Sequence, residues 1–390
     1  MSRLSTELIH GHEFYDEKSG IFIPPIYLNV IYEQPNRVFG DTLLSDRGVD
    51  LKYSREENLT ARALEKVISK LELSDDALVF NSGMAAIAAV YLGVLRSGSK
   101  VVIPMEAYGT TIQLLTQLSC KFGFRVVKVW PSTEDVINAI DSETTMVLVE
   151  TITNPLLRVL NIREIARRVK EVNAILVVDN TLATPLIYTP INDGANIVLH
   201  SLTKYLAGHN DVVGGALASR SDLIRELWEW RRMLGGILQP LEAYLILRGI
   251  KTLEVRFERQ CRNALTVAEF LHEHTKVKEV FYPGLPDSPY KSVADSLFSR
   301  RMYGGVVSFR LRGGKEAAHE MLRRVKVIKP SPSLGGTESL LTYPVVSASK
   351  TIPAEDRLKL GITEDLLRLS IGLEDVNDLI EDLDQALNYA

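Results

Sequence analysis

A chain of 390 residues exceeds the usual single domain, so two domains, or one large α/β domain with a smaller appendage, are expected. Hydrophobic residues make up 46% and charged residues 24%, ordinary globular values that exclude a disordered or low-complexity protein. The 45 basic and 49 acidic residues leave a formal charge of -4, which favours no polyanionic partner and sets nucleic acid aside.

The first 16 residues have no apolar core of the signal-peptide type, and no run approaches the ~18 apolar residues needed to span a bilayer. Cys120 and Cys261 lie far apart without any CxxC pair, which argues against a disulfide framework or a thiolate metal site. A soluble, cytoplasmic protein without membrane contact is expected. Residues 1 to about 55 lack sustained periodicity and carry Pro24, Pro25, Pro35, Gly40 and Gly48, so segment 1–58 is expected to be an arm crossing a surface.

From about residue 60, helical stretches alternate with short apolar runs at 100–104, 125–130, 146–150, 175–179 and 197–200. These Val-, Ile- and Leu-rich runs predict buried strands. Between them, 162–172 predicts an amphipathic helix opened by the capping pair Asn161 and Glu164. The alternation implies an α/β domain over 59–250, a mostly parallel central sheet with helices on both faces. The aromatic and basic stretch 228–232 reads as a packed amphipathic helix rather than a nucleic-acid patch, because Glu229 interrupts it. A long helical region over 240–274, interrupted near Gly249, leads to strand candidates at 304–311 and from Leu366 onward. Residues 251–390 therefore predict a smaller C-terminal α+β domain.

The most informative segment is Ser201-Leu202-Thr203-Lys204-Tyr205-Leu206-Ala207-Gly208-His209-Asn210-Asp211, followed by Gly214-Gly215. It directly follows a predicted strand, where ligands of open α/β sheets are found. One lysine at a strand end is ordinarily a solvated charge. Here hydroxyls at Ser201 and Thr203 could hold a phosphate beside it, and a lysine whose surroundings lower its pKa is a Schiff-base nucleophile. Asn81-Ser82-Gly83-Met84 opens a predicted helix, so free N–H groups of Gly83 and Met84 could receive the same phosphate.

The Lys204 segment resembles the signature of the Cys/Met-metabolism family of pyridoxal-phosphate enzymes, which includes cystathionine γ-synthase, cystathionine γ-lyase and methionine γ-lyase. The resemblance runs from Leu8-Ile9-His10 and Pro24-Pro25-Ile26-Tyr27 to Leu367-Arg368-Leu369-Ser370-x-Gly372-x-Glu374, nearly the whole chain. It implies the fold-type I architecture, pyridoxal 5'-phosphate as cofactor and a Schiff base on Lys204. It further implies that Asp179 pairs with the pyridine nitrogen, with Thr181 beside it, and that Ser82, Gly83, Met84, Ser201 and Thr203 hold the phosphate. Tyr108 would stack on the ring and exchange protons with the leaving group, and Asn154 would lie near the ring oxygen. Ser333 and Arg368 would take the substrate α-carboxylate.

Tyr53 and Arg55 match the family's Tyr-x-Arg, which reaches the phosphate of the neighbouring subunit. The resemblance thus implies a homo-oligomer, a tetramer built as a dimer of dimers. The implied chemistry is γ-replacement or γ-elimination on sulfur amino acids or O-acylhomoserine, of the cystathionine γ-synthase or γ-lyase type. Methionine γ-lyase and O-acylhomoserine sulfhydrylase are alternatives within the family, and a non-catalytic cofactor-binding protein is the alternative outside it. Three positions depart from the family pattern: Pro332, where cystathionine-handling relatives often carry glutamate, Thr110, where methionine γ-lyases typically have cysteine, and Leu59, where proline is usual.

Other classes find little support. No two glycines are spaced as GxG, and the run from Gly93 to Lys100 lacks the Lys-Ser/Thr order of a phosphate loop. His10-x-His12 and His272-x-His274 have no supporting ligands, so no metal is expected.

Overall fold

The computed structural model describes residues 3–14, 18–33, 51–347 and 349–390. The apolar runs become strands of one sheet: β1 (Asp76–Phe80), β2 (Lys100–Pro104), β3 (Arg125–Val129), β4 (Thr144–Glu150), β5 (Ile175–Asp179), β6 (Ile197–Ser201) and β7 (Gly215–Ser219). Their order is β1-β7-β6-β5-β4-β2-β3. Strands β2 to β6 run parallel, and β7 is antiparallel to both β1 and β6. Successive side chains on a strand face opposite sides. Accordingly Val147, Val149, Val178 and Val198 join one core, while Met146, Leu148, Val177 and Ile197 join another on the opposite face. Only the edge strand β3 shows substantial exposure.

Helix α1 (Leu4–His10) lies in the arm, α2 (Leu59–Glu72) follows it, and α3 (Gly83–Val94) and α4 (Gly109–Phe122) follow β1 and β2. The expectation of an arm without a layered element needs correcting at α1, which seats Leu8 in the core against α2. Pro35, Gly40 and Gly48 lie outside the described residues. Leu59 starts α2 without the usual proline, because Asn58 accepts the N–H groups of Thr60 and Ala61 and so caps the first turn. The helix Ile162–Glu171 carries the expected cap: Asn161 accepts the Glu164 N–H and donates to its carboxylate at 2.6 Å.

Trp228 to Arg232 fall in the helix Ser221–Leu234, where Trp228 donates to Glu57 at 2.9 Å and Arg231 pairs with Glu65 at 2.6 Å. That stretch is a packed, ion-paired helix. The 240–274 region divides into helices Pro240–Ile250 and Leu253–Glu273, with the break just after Gly249. Gly249 serves close approach, since a Cβ there would sit 2.1 Å from the Ala207 carbonyl oxygen.

A second sheet gathers β8 (Val277–Phe281), β9 (Val306–Leu311), β10 (Lys329–Pro330), β11 (Leu340–Thr342) and β12 (Leu366–Ser370) in the order β10-β11-β12-β9-β8. The helix Leu253–Glu273 packs on β8 and β9. Strand β9 starts at Val306 rather than 304, because Gly304 turns the chain at φ 93°. The sheet brings Arg368 of β12, and the loop 331–339 between β10 and β11, over the carboxyl ends of β4, β5 and β6.

Candidate active site

A cavity of about 490 Å³ opens where those strand ends meet the second sheet. Twelve sequence-predicted residues line it: Ser82, Gly83, Met84, Tyr108, Asn154, Asp179, Thr181, Ser201, Thr203, Lys204, Ser333 and Arg368. Tyr53 and Arg55 do not. Arg55 instead donates to the Arg232 carbonyl at 2.8 Å on the outer face of its own chain.

Lys204 follows β6 and its amine donates to the Ser333 hydroxyl at 2.8 Å. Burial, and secondarily the Arg368 charge, pull the amine down to about 8. Neutral amine is the nucleophilic form, so the cofactor-free protein captures an added aldehyde faster as pH rises through about 8. Stopped-flow absorbance against pH should show that midpoint; one near 10.5, the value of an unperturbed lysine, would contradict it.

Asp179 ends β5 with one oxygen accepting the Thr181 N–H at 3.0 Å. Burial raises its pKa, while the bonds from Thr181 and then the positive field of His200 oppose the rise. Such a carboxylate favours a cationic partner in the cavity. Thr181 in turn accepts the Ser201 N–H at 2.8 Å, tying the ends of β5 and β6 together.

At the other end, Ser82 caps α3 by accepting the Ala85 N–H at 3.0 Å. The N–H groups of Gly83 and Met84 belong to the first turn and have no intrahelical acceptor. Gly215 of β7 presses against this turn: a Cβ there would lie 2.3 Å from the Ser82 oxygen and 2.7 Å from the Gly83 nitrogen. Ser201 lies across from it, 3.4 Å from where a Cβ on Gly83 would sit. These residues form a narrow anion cradle. The Thr203 hydroxyl is engaged with Gly214, donating to its carbonyl at 3.3 Å and accepting its N–H at 3.0 Å.

Arg368 is only 2% exposed. Its guanidinium donates to Asn154 at 3.0 Å, to the Ser333 carbonyl at 2.7 Å and to Thr342 at 3.2 Å, and its Nε has no partner among the described residues. Ser333 stands at φ 90°, a left-handed conformation uncommon for serine and of the kind that functional sites retain. Gly335 beside it, at φ 84°, leaves the loop room to pass Tyr205, where a Cβ would come 2.7 Å from the backbone nitrogen.

Three contributors were not assigned from sequence. Thr342 supports Arg368 from a neighbouring strand, Ser347 lines the cavity from the next turn, and Glu150 holds the Tyr108 N–H at 2.7 Å. Glu150 stood in a conspicuous Glu-Thr-x-Thr-Asn-Pro run, but no local signal ties it to an amide 42 positions upstream.

The family model for Cys/Met metabolism PLP-dependent enzymes matches residues 5–388. The chain belongs to that family. Its similarity to a cystathionine γ-lyase of Dictyostelium discoideum is 39% identity over 390 residues, covering 99% of this chain and 98% of that protein. It is 38% identical to a cystathionine γ-synthase of Mycobacterium tuberculosis over 385 residues, covering 98% and 96%. The crystal structure of a cystathionine γ-synthase from Xanthomonas oryzae pv. oryzae in complex with cystathionine superposes with a TM-score of 0.93 at 34% identity, covering 100% of this chain and 98% of that one. The protein is a PLP-dependent enzyme of fold type I. The cavity fits that cofactor on its own terms: a cradle closed by Gly215 suits a phosphate, a partly buried carboxylate suits a protonated ring nitrogen, and a lysine whose pKa burial lowers lines the same cavity.

Proposed function

We propose that the enzyme catalyses γ-elimination or γ-replacement on a sulfur amino acid or O-acylhomoserine, in the manner of cystathionine γ-lyase or γ-synthase. The observation that carries this reading is Arg368. A buried guanidinium with an unpartnered Nε, oriented by Asn154, Ser333 and Thr342 and facing the same cavity as Lys204, suits a substrate carboxylate beside a base.

Pyridoxal phosphate supplies an aldehyde that condenses with amines and a conjugated ring that draws electron density from the carbon next to the amine. Ser82, Gly83, Met84, Ser201 and Thr203 would hold its phosphate, while Asp179, steadied by Thr181, would keep its ring nitrogen protonated. Lys204, once released, moves protons between substrate carbons, and Ser333, which accepts from its amine, keeps it aimed. Tyr108, 43% exposed at the cavity mouth, would cover the ring and serve the leaving group.

Pro332 lines the cavity and brings no charge, with Val213, Ile152 and Leu334 adding apolar wall. That observation favours a second reading, in which the leaving group carries no distal ammonium, as for methionine γ-lyase or O-acylhomoserine sulfhydrylase. Thr110 is absent from the cavity wall, whereas Thr111 is part of it.

The arm supports assembly. Phe22, Leu28 and Ile31 are 62%, 75% and 74% exposed, and Ile31 bridges to Tyr53, so a second copy seated there would bury an apolar stripe and carry Tyr53 and Arg55 to the neighbouring phosphate. A tetramer of two such dimers follows the family pattern. Both cysteines are free, in keeping with a reducing, cytoplasmic setting, and among the described residues no helix is long and apolar enough to cross a membrane.

Purified enzyme given cystathionine, methionine, homocysteine, or O-acylhomoserine with cysteine should release 2-oxobutanoate or form a thioether, identified by mass spectrometry. Absence of product from every substrate would reject the reading. Sedimentation equilibrium on the same preparation should exceed the 43.5 kDa protomer, and a monomer would reject the shared site.

A further inference from the structure

Glu150 ends β4 beside the end of β5, in register with Asp179, so two carboxyl groups stand on adjacent strands at one cavity wall. A third, Glu106, follows β2 and is fully buried. Its cation is Arg158, at 2.7 Å, which also donates to the Tyr290 hydroxyl at 3.1 Å and to the Leu360 carbonyl at 2.8 Å. Among the described residues Arg158 makes its ion pair with Glu106 and none with Glu150.

Glu150 is 6% exposed and forms no salt bridge among the described residues. Its Oε1 accepts the Tyr108 N–H at 2.7 Å, and its Oε2 makes no hydrogen bond. An ionised carboxylate so placed would bury an uncompensated charge next to Asp179. A protonated one would use Oε1 as its carbonyl oxygen, already satisfied, and carry the O–H on Oε2. Burial first, then the charges of Asp179 and Glu106, push the Glu150 pKa well up, against the pull of the Tyr108 and Asn154 amides.

Resting on the functional reading above, we propose that Glu150 is a neutral carboxylic acid that positions Tyr108, holding its backbone through Oε1. The bond fixes the residue from which α4 departs: Tyr108 occupies the N-cap position, its side chain makes no cap bond, and its carbonyl accepts from Thr111 and Ile112. Without Glu150, the Tyr108 N–H would lose the side-chain acceptor that sets its backbone at the mouth of the cavity. With Glu150 neutral, Asp179 is left as the only ionised carboxylate of the adjacent pair.

The test compares holoenzyme forms of wild type, Glu150→Ala, Glu150→Gln, Tyr108→Phe and the Glu150→Ala/Tyr108→Phe double variant. Glutamine retains the acceptor and a donor but can carry no charge. Misplacing Tyr108 in Glu150→Ala should lower kcat roughly 100-fold with little change in KM. Glu150→Gln should recover most of that loss. The limb of the pH profile that Tyr108→Phe abolishes should shift in Glu150→Ala and return in Glu150→Gln. In the Tyr108→Phe background, removing Glu150 should cost little more, as expected of residues acting through one another.

Equal losses in the alanine and glutamine variants would show that the charge matters, and fully additive losses would show that Glu150 does not act through Tyr108. Either result, or an alanine variant with wild-type kinetics, overturns the proposal. Should Glu150→Ala be insoluble, Glu150→Leu, which fills the space without an acceptor, takes its place. A failed functional reading looks different, since the wild type would then turn over none of the candidate amino acids.

Discussion

Lys204→Ala should lower kcat by about 10³-fold or more, the upper range for removing a residue that both holds the reacting group and moves its protons. Among the described residues Lys204 is the only lysine on the cavity wall, so none of them offers a second amine there. The loss should not reflect unfolding. Burial lowers the Lys204 pKa in the folded protein to about 8 from 10.5, so the unfolded chain binds more protons between those values and stability rises with pH across that window. Below it the buried cation is a standing cost, and alanine removes it. Thermal melts of cofactor-free wild type and variant at neutral pH should therefore match, or favour the variant. Steady-state kinetics with the best substrate from the product screen checks the first claim, and a Lys204→Ala enzyme within tenfold of wild type would contradict it.

Asp179→Asn should cost roughly 10²- to 10³-fold in kcat, the scale of removing one preorganised electrostatic partner. Asparagine keeps an oxygen for the Thr181 N–H that Asp179 now accepts at 3.0 Å, so the turn at the end of β5 should survive. What disappears is negative charge held in a partly buried place, where water screens it less than at the surface. The effect should fall on kcat while cofactor stays bound, because the phosphate cradle at Ser82, Gly83 and Ser201 lies elsewhere on the wall. An absorbance spectrum taken alongside the kinetics separates the two cases. A variant with full cofactor and undiminished kcat would remove Asp179 from the chemistry.

Much of the fold can be read from the chain because buried parallel strands write themselves as unbroken apolar runs. The stretch 175–179 is predicted and observed with the same limits for that reason. Strand β7 escapes notice because Gly-Ala-Leu-Ala-Ser has no β-branched or aromatic residue. Its composition serves another need: Gly215 must let the Ser82 turn approach, and a larger residue would displace the cradle. Helix α1 escapes because it has only 7 residues, too short for its period to show, and gains its place by seating Leu8.

The site divides in the same way. Lys204, Asp179 and the Gly83 turn sit at or within three residues of strand ends, where neighbours in sequence are neighbours in the cavity. Arg368 comes from a different sheet, and only its resemblance to a family motif brought it forward. Glu150 acts on a backbone amide, which leaves no trace in the identity of the residue it holds. Tyr53 and Arg55 lie away from the cavity of their own chain, where Arg55 donates to the Arg232 carbonyl, so no neighbour in one copy gives them the role the family motif implies.

In the proposed reading the amine of Lys204 carries the coenzyme. Borohydride reduction of the yellow holoenzyme, with its absorbance near ~420 nm, followed by peptide mapping, tests that bond directly. A single pyridoxyl-modified peptide containing Lys204 is the predicted result. Modification at another lysine, or complete release of the cofactor after reduction and denaturation, would contradict it.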